Sequence, residues 1–211
     1  RTNLHITAPI GSGKTTLIID IIDRYQDDYQ FVLIEPLIAI ASQVHIKLDE
    51  KEININRLGS KETKDTLRYV DELKDRYLEN AIEENDEEYD MNYIPHLHYL
   101  STIDSSWRIF DEGLVVPEKT IIIIDESHTF LQDTRDVFDK SVNAIIDSEC
   151  PIIGFTGTIS KFVIRFLFQF DNMLNFSCLN LFSKKINHSS AVKIPWLVSH
   201  VISSRGPEKI V

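Results

Sequence analysis

Apolar and polar positions along this chain switch repeatedly between the strand period and the helix period. Leu4-His-Ile-Thr-Ala8 reads as a short strand running into a glycine-rich loop, after which Leu17, Ile18, Ile21 and Ile22 fall at helical spacing across Thr15–Tyr25. Phe31-Val-Leu-Ile-Glu35 is a second apolar, β-branched run, ended by Pro36, and Leu37–Leu48 predicts the helix that follows. Residues 61–90 predict helix, with Leu67, Val70, Leu73, Tyr77 and Leu78 near helical spacing, while the polar stretch 83–92 predicts a surface loop or insertion. Tyr99-Leu-Ser-Thr102, Thr120–Ile124 and Ile152–Thr156 supply further strands, Phe162–Phe170 a helix and Asn175–Phe182 a last strand. Strand cores that are continuously apolar, separated by helices, imply a sheet buried on both faces. The fold class is therefore α/β, a mostly parallel sheet with helices on both faces. No internal repeat is visible, and Lys184-Lys-Ile-Asn-His-Ser-Ser190 has the chemistry of a linker.

Composition narrows the setting. A chain of 211 residues that is 43% hydrophobic can bury a core and is read as one globular domain with an extension. Cys150 and Cys178 are too few and too far apart for a disulfide framework or a cysteine-rich zinc site, which fits an intracellular, reducing compartment. No charged segment followed by an apolar one marks a signal peptide at Arg1. The apolar runs Ile121–Ile124 and Phe162–Phe170 fall short of the roughly 20 residues that span a bilayer, so no membrane partner is expected.

The net charge of −11 argues against holding nucleic acid by a global positive field. The charge is unevenly spread: residues 61–90 carry 12 acids against 5 bases, and residues 160–211 carry 7 bases against 2 acids. Either these are a solvated acidic helix and an ordinary basic tail, or a polyanion binds away from 61–90.

Two segments carry chemistry. Ala8-Pro-Ile-Gly-Ser-Gly-Lys-Thr-Thr16 follows a strand and opens a helix, the context of a P-loop. Pro9, Gly11, Ser12, Gly13, Lys14, Thr15 and Thr16 form the expected phosphate cradle. Gly11 and Gly13 let successive N–H groups converge on phosphate oxygens, Lys14 reaches the β- and γ-phosphates, and the Thr15 hydroxyl ligates Mg²⁺. Ala8 stands where the general pattern has Gly. The second segment, Ile121-Ile-Ile-Ile-Asp-Glu-Ser-His128, sets two acids at the end of a buried strand, where parallel α/β sheets present their ligands. Asp125 is expected to hold Mg²⁺, and Glu126 to orient and deprotonate an attacking water.

Together these motifs resemble the superfamily 2 helicases, in particular their DExH branch, because Asp125-Glu-Ser-His128 has the form Asp-Glu-x-His. Further segments match in order. Glu35-Pro-Leu-Ile-Ala-Ile-Ala-Ser-Gln43 looks like motif Ia, Leu100-Ser-Thr102 resembles a segment that touches the nucleic-acid backbone, and Phe155-Thr-Gly-Thr158 stands where the Ser/Thr-Ala-Thr motif belongs, with Gly157 in place of Ala. The resemblance covers roughly residues 3–182. It implies a RecA-like P-loop NTPase domain over 1–182, with 183–211 a linker toward a second RecA-like domain not present in this chain. It also implies ATP and Mg²⁺ as cofactors and DNA or RNA as partner through backbone contacts, which position without reading sequence. His128, Thr156 and Thr158 would couple nucleotide state to strand movement, and Pro36 and Thr102 would lie at nucleic-acid phosphates. The family's second domain supplies a Gln-x-x-Gly-Arg-x-x-Arg motif whose arginines reach the γ-phosphate. No such motif occurs here, and Arg165 and Arg205 lack its context. The reading is an ATP hydrolase motor, poorly active as this isolated domain. Its rivals are a duplex translocase without strand separation, and a P-loop kinase or nucleotide switch that does not act on nucleic acid.

Other candidates weigh less. His96-Leu-His98 lacks the companion ligands of a zinc site and reads as surface or partly packed side chains. Trp107 and Phe110 could stack on bases, but their spacing suits a helix packed on the core. Cys150 precedes Pro151 at a strand start and has no paired base.

Overall fold

In the computed structural model the described residues are 3–59, 68, 71–73, 75, 97–131, 136–157 and 174–177. The chain runs through β1 (Leu4–Thr7), α1 (Lys14–Tyr25), β2 (Gln30–Glu35), α2 (Ile38–Asp49), β3 (Ile55–Leu58), β4 (His98–Thr102) and α3 (Ile103–Asp111). It continues through β5 (Thr120–Ile124), a 3₁₀ turn (Ser127–Leu131), α4 (Asp136–Asp147), β6 (Ile152–Thr156) and β7 (Leu174–Ser177). The strands form one seven-stranded sheet in the order β3-β4-β2-β5-β6-β1-β7. Every pairing in it is parallel.

Side chains alternate across a strand, so a strand covered on both faces has to be apolar at every position. In β2, Phe31 and Leu33 enter one core while Val32 and Ile34 enter the other. In β5, Ile121 and Ile123 face the first core, and Ile122 and Ile124 the second. The first core is closed by Ile18, Ile19, Ile21 and Ile22 of α1 with Ala41, Val44 and Leu48 of α2. The second is closed by Ile103 and Ile109 of α3 with Phe138, Val142 and Ile145 of α4. Each fully buried isoleucine contributes about 1.5–3 kcal/mol by leaving water, so the central strands anchor whatever is mounted on their ends.

Local signals set the element ends. Pro36 disfavours helix in the residue before it, and the strand runs up to Glu35. Leu37 is still extended (φ −138°, ψ 145°) as the cap of α2. The helices over Thr15–Tyr25 and Leu37–Leu48 and the strands at 4–8, 31–35, 99–102, 120–124 and 152–156 appear where the pattern predicts them, within a residue or two. Residues 68, 71–73 and 75 are helical. The loop over 83–92, the helix Phe162–Phe170 and the linker 183–211 lie outside the described residues. Of the last strand, only Leu174–Ser177 is described.

The pattern did not assign β3 or α4, and it indicated α3 only through the helical spacing of Trp107 and Phe110. The strand β3 is short and carries Asn56 and Arg57 between Ile55 and Leu58, which obscures its period. Helix α4 was readable, since Phe138, Val142 and Ile145 stand at i, i+4 and i+7. His98 departs from expectation: it is fully buried, not a surface side chain. Its strand lies between β3 and β2, so neighbours cover it, and its Nδ1 accepts the Phe31 N–H at 3.1 Å. Trp107 and Phe110 lie on α3 and are half-buried. Phe110 packs against the second core, while Lys140 Nζ stands 3.1 Å from the centre of the Trp107 ring. Cys150 is buried.

His5 gives the fold a pH dependence. It is buried in β1 with Nε2 3.3 Å from Ser127 Oγ, and burial pushes its pKa down to about 4. Between about 4 and the ordinary value near 6.5, the unfolded chain binds the proton that the folded chain refuses, so stability rises with pH across that window. Denaturant midpoints measured from pH 4 to 7 should fall on acidification, and His5→Gln should flatten that part of the curve. A slope identical to wild type would show that other groups cause the loss.

Candidate active site

Because the sheet is all parallel, the carboxyl ends of its strands lie along one edge. The register pairs Thr7 with Thr156, Ile124 with Gly154, Ile34 with Ile124 and Glu35 with Thr102. The next bonds extend the alignment: Ala8 N–H donates to Thr156 C=O, and Asp125 N–H to Ile34 C=O, each at 3.0 Å. Segments far apart in sequence thereby share one rim. In order across it stand the glycine-rich loop after β1, Thr156-Gly157 after β6, Asp125-Glu126 after β5, Glu35-Pro36 after β2, and Thr102 after β4. The strand following α1 does not pair with β1 but lies beyond β6 and β5. Such a switch in strand order opens a crevice at the carboxyl ends.

The loop has the backbone that phosphate binding requires. Gly11 (φ 76°) and Gly13 (φ 87°) occupy the left-handed region, and open space surrounds the position of a Cβ at each. Gly13 caps α1 without a side-chain hydrogen bond, so the positive end of the helix faces the loop. Ser12 Oγ is buried and has no hydrogen-bond partner among the described residues, an orphaned donor within the loop. Lys14 and Thr15 are half-buried at the start of α1, whereas Pro9, Gly11 and Thr16 are exposed. An orphan hydroxyl, left-handed glycines and a helix N-terminus suit a phosphate, and the hydroxyl of Thr15 and the carboxyl of Asp125 are the kinds of oxygen donor that suit the Mg²⁺ that accompanies it. Among the described residues no group of three or more His, Cys, Asp or Glu could hold a metal by itself. A cation here would therefore share its ligands with phosphates and water.

Lys14 joins the loop to the acids. Its Nζ donates to Ala8 C=O at 3.2 Å and Pro9 C=O at 3.4 Å, and lies 3.5 Å from Glu126 Oε1. The other carboxylate oxygen of Glu126 accepts the Gly157 N–H at 3.2 Å and stands 3.3 Å from His128 Nδ1. That same Nδ1 is 2.9 Å from Thr156 Oγ1. Glu126 has φ 45°, a left-handed conformation that costs a non-glycine residue about 1–3 kcal/mol. The turn holding it there is hydrogen-bonded throughout: Asp125 Oδ1 accepts the Glu126 N–H, and Glu126 C=O accepts both the N–H and the hydroxyl of Thr129, each at 2.9 Å. At Gly157 a Cβ would meet Ile10 at 3.5 Å and Lys14 Nζ at 3.6 Å, ordinary contacts. The glycine in place of alanine is thus not a steric necessity.

Burial raises the Asp125 pKa above the usual carboxylate range, with Lys14 and His128 pulling the other way. Glu35 is more perturbed. It is fully buried, neither carboxyl oxygen has a hydrogen-bond partner, and burial followed by the charges of Asp125 and Glu126 pushes its pKa up to about 9. Sequence reasoning treated Glu35 only as the first residue of a motif. The available signal was an acid closing an otherwise apolar strand immediately before Pro36.

The expected site residues therefore fall into two groups. Pro9, Gly11, Ser12, Gly13, Lys14, Thr15 and Thr16 lie on the loop, and Lys14 meets Glu126 and, through it, His128, Gly157 and Thr156. Pro36 and Thr102 are half-buried farther along the rim, Thr102 as the extended cap of α3. Beside Pro36, Leu37 and Ile38 are strongly exposed. Thr158 lies outside the described residues.

An all-parallel α/β sheet with a glycine-rich loop after β1 and an acidic pair after β5 defines a RecA-like domain. The chain belongs to the DEAD/DEAH box helicase family, whose model matches residues 1–166. Solved structures share the fold. A hypothetical ATP-dependent RNA helicase from Sulfolobus tokodaii is 16% identical with a TM-score of 0.54, over 82% of this chain and 47% of that one. A DEAD box protein from Methanococcus jannaschii is 14% identical with a TM-score of 0.56, over 82% and 45%. A variant of S. cerevisiae Dbp5 bound to RNA and ADP BeF3 is 14% identical with a TM-score of 0.54, over 83% and 42%. The chain thus spans less than half the length of each of these three proteins. No curated protein matches it by sequence. Among the described residues no helix is long and apolar enough to cross a membrane.

Proposed function

We propose that residues 1–182 are the nucleotide-binding half of an ATP-dependent nucleic-acid motor of the DExH type, with 183–211 leading toward a second RecA-like domain. The observation that carries this reading is the Lys14–Glu126 contact at 3.5 Å, which joins the phosphate loop to the acidic strand end. Lys14 is nearly buried and already holds two backbone carbonyls, so it can exchange those partners for phosphate oxygens without leaving the loop. That exchange would loosen its hold on Glu126 and leave the carboxylate to orient and accept a proton from water. Thr15 and Asp125 would hold Mg²⁺, which supplies neutralisation of phosphate charge. His128 and Thr156 tie the turn after β5 to the end of β6, a link suited to passing nucleotide state to the neighbouring strand. Pro36 and Thr102, on the far side of Asp125, would lie along the track of a DNA or RNA backbone, whose phosphates position without specifying sequence.

Lys14→Ala should weaken binding of a nonhydrolysable ATP analogue in calorimetry while leaving the melting temperature near wild type. Removal of a charge-assisted contact with phosphate costs about 1.5–3 kcal/mol, so roughly a tenfold loss or more in affinity is expected. Unchanged affinity in a folded variant would sink the nucleotide assignment.

A further inference from the structure

Glu35 is an acid that the proposed chemistry leaves unused. It closes β2, its register on β4 pairs it with Thr102, and the bond from Asp125 N–H to Ile34 C=O sets it beside Asp125 across the β2–β5 seam. Alternation along these strands puts Leu33 and Ile123 in the core under α1 and α2, and Glu35 and Asp125 follow them by two residues on that same face. Both carboxyl groups thus point toward the side where Thr15 opens α1.

Among the described residues nothing hydrogen-bonds the Glu35 carboxyl. Its residue surface is 0% exposed and both Oε atoms lack a partner. A buried carboxyl left without hydrogen bonds is unfavourable, because it has given up water without a replacement. Its burial excludes direct contact with a nucleic-acid strand or a protein. In this structure the burial excludes water as well, so a partner has to be as small as a water molecule admitted beside it when a neighbouring cation binds.

Charge points the same way. Asp125 and Glu126 stand beside Glu35 at one strand end, and Lys14 is a cation in contact with Glu126. One divalent cation would offset the charge that Asp125 and Glu126 bring there. Among the described residues the three acids do not form a ready-made metal-holding cluster. Magnesium keeps several of its waters, and those waters need acceptors.

Resting on the nucleotide assignment above, we propose that Glu35 is a positioning residue that accepts hydrogen bonds from the water shell of the divalent cation held by Thr15 and Asp125. It thereby fixes the orientation of those waters and of Asp125. Partners outside the ligand shell commonly change metal affinity 10–100-fold when removed.

The test compares wild type with Glu35→Leu and Glu35→Gln, using Mn²⁺ titrated in the presence of a nonhydrolysable ATP analogue and followed by electron paramagnetic resonance. Melting curves are taken without ligand, and analogue affinity is measured in EDTA. Glu35→Leu should lose 10–100-fold in Mn²⁺ affinity, bind the analogue in EDTA as wild type does, and melt no lower than wild type because an orphan acid has been removed. Glu35→Gln, which keeps the shape and one acceptor, should lose Mn²⁺ affinity by a smaller factor. Wild-type Mn²⁺ affinity in Glu35→Leu overturns the proposal. If that variant does not fold, wild-type affinity in Glu35→Gln overturns it. Failure of the wild-type protein to bind the analogue with Mn²⁺ overturns the nucleotide assignment itself, and the role of Glu35 with it.

Discussion

Residues 1–211 by themselves are expected to turn over ATP roughly 10³–10⁵ times more slowly than a two-domain form that carries a Gln-x-x-Gly-Arg-x-x-Arg segment. Phosphoryl transfer is catalysed by positioning and by stabilising charge on the transferred group, and an arginine reaching the γ-phosphate supplies much of the second. Among the described residues the cationic groups in contact with Glu126 are Lys14 and, when protonated, His128. On the proposed reading Lys14 holds phosphate in the ground state, so its charge is already committed to binding. A strand clamped across two domains would also find one half of its clamp, and stimulation by nucleic acid should be slight. The measurement is steady-state ATPase of residues 1–211 and of the longer form, each with and without single-stranded DNA or RNA. Full stimulated turnover by residues 1–211 would mean that Arg165, Arg205 or a neighbouring copy supplies the finger, and the two-domain reading would fail.

In that longer form, Glu126→Gln should lower turnover by a factor on the order of 10² or more while leaving nucleotide affinity close to wild type. Glutamine keeps the length and planarity of the side chain, so its Oε1 can still accept the Gly157 N–H that Glu126 accepts at 3.2 Å. What it loses is the capacity to take a proton and the attraction of Lys14. The left-handed backbone of residue 126 is held by the bonds from Asp125 and Thr129, none of which involves the substituted group, so the turn should survive. Pre-steady-state measurement of bound nucleotide and of phosphate release separates the two effects. Hydrolysis at the wild-type rate would remove Glu126 from the chemistry and leave its contact with Lys14 as a structural tie.

Much of this domain was legible because its chemistry is local. A glycine-rich loop between a strand and a helix needs left-handed glycines and a lysine at fixed offsets, and those offsets are sequence distances. The isoleucines before Asp125 announce a doubly covered strand for the same reason, since burial on both faces forbids alternation. The helix Asp136–Asp147 was legible too, though unread. The edge strand Ile55–Leu58 was less so, because two polar residues interrupt its four.

Tertiary structure decided which ends meet. Lys14 and Glu126 are separated by more than a hundred residues, and only the order β2-β5-β6-β1 brings the loop beside the acids. His98 read as a surface or partly packed residue, and it is the placing of β4 between β3 and β2 that covers its ring fully and lets its Nδ1 accept the Phe31 N–H. Glu35 shows the division most sharply. By sequence it is one more acid at the end of a strand. Its significance comes from the register that lays it against Asp125 and from the packing that removes it from water. Periodicity and loop chemistry are properties of neighbours along the chain, and the sequence carries them directly. Register, strand order and desolvation are properties of neighbours in space, which come into being only when the sheet closes.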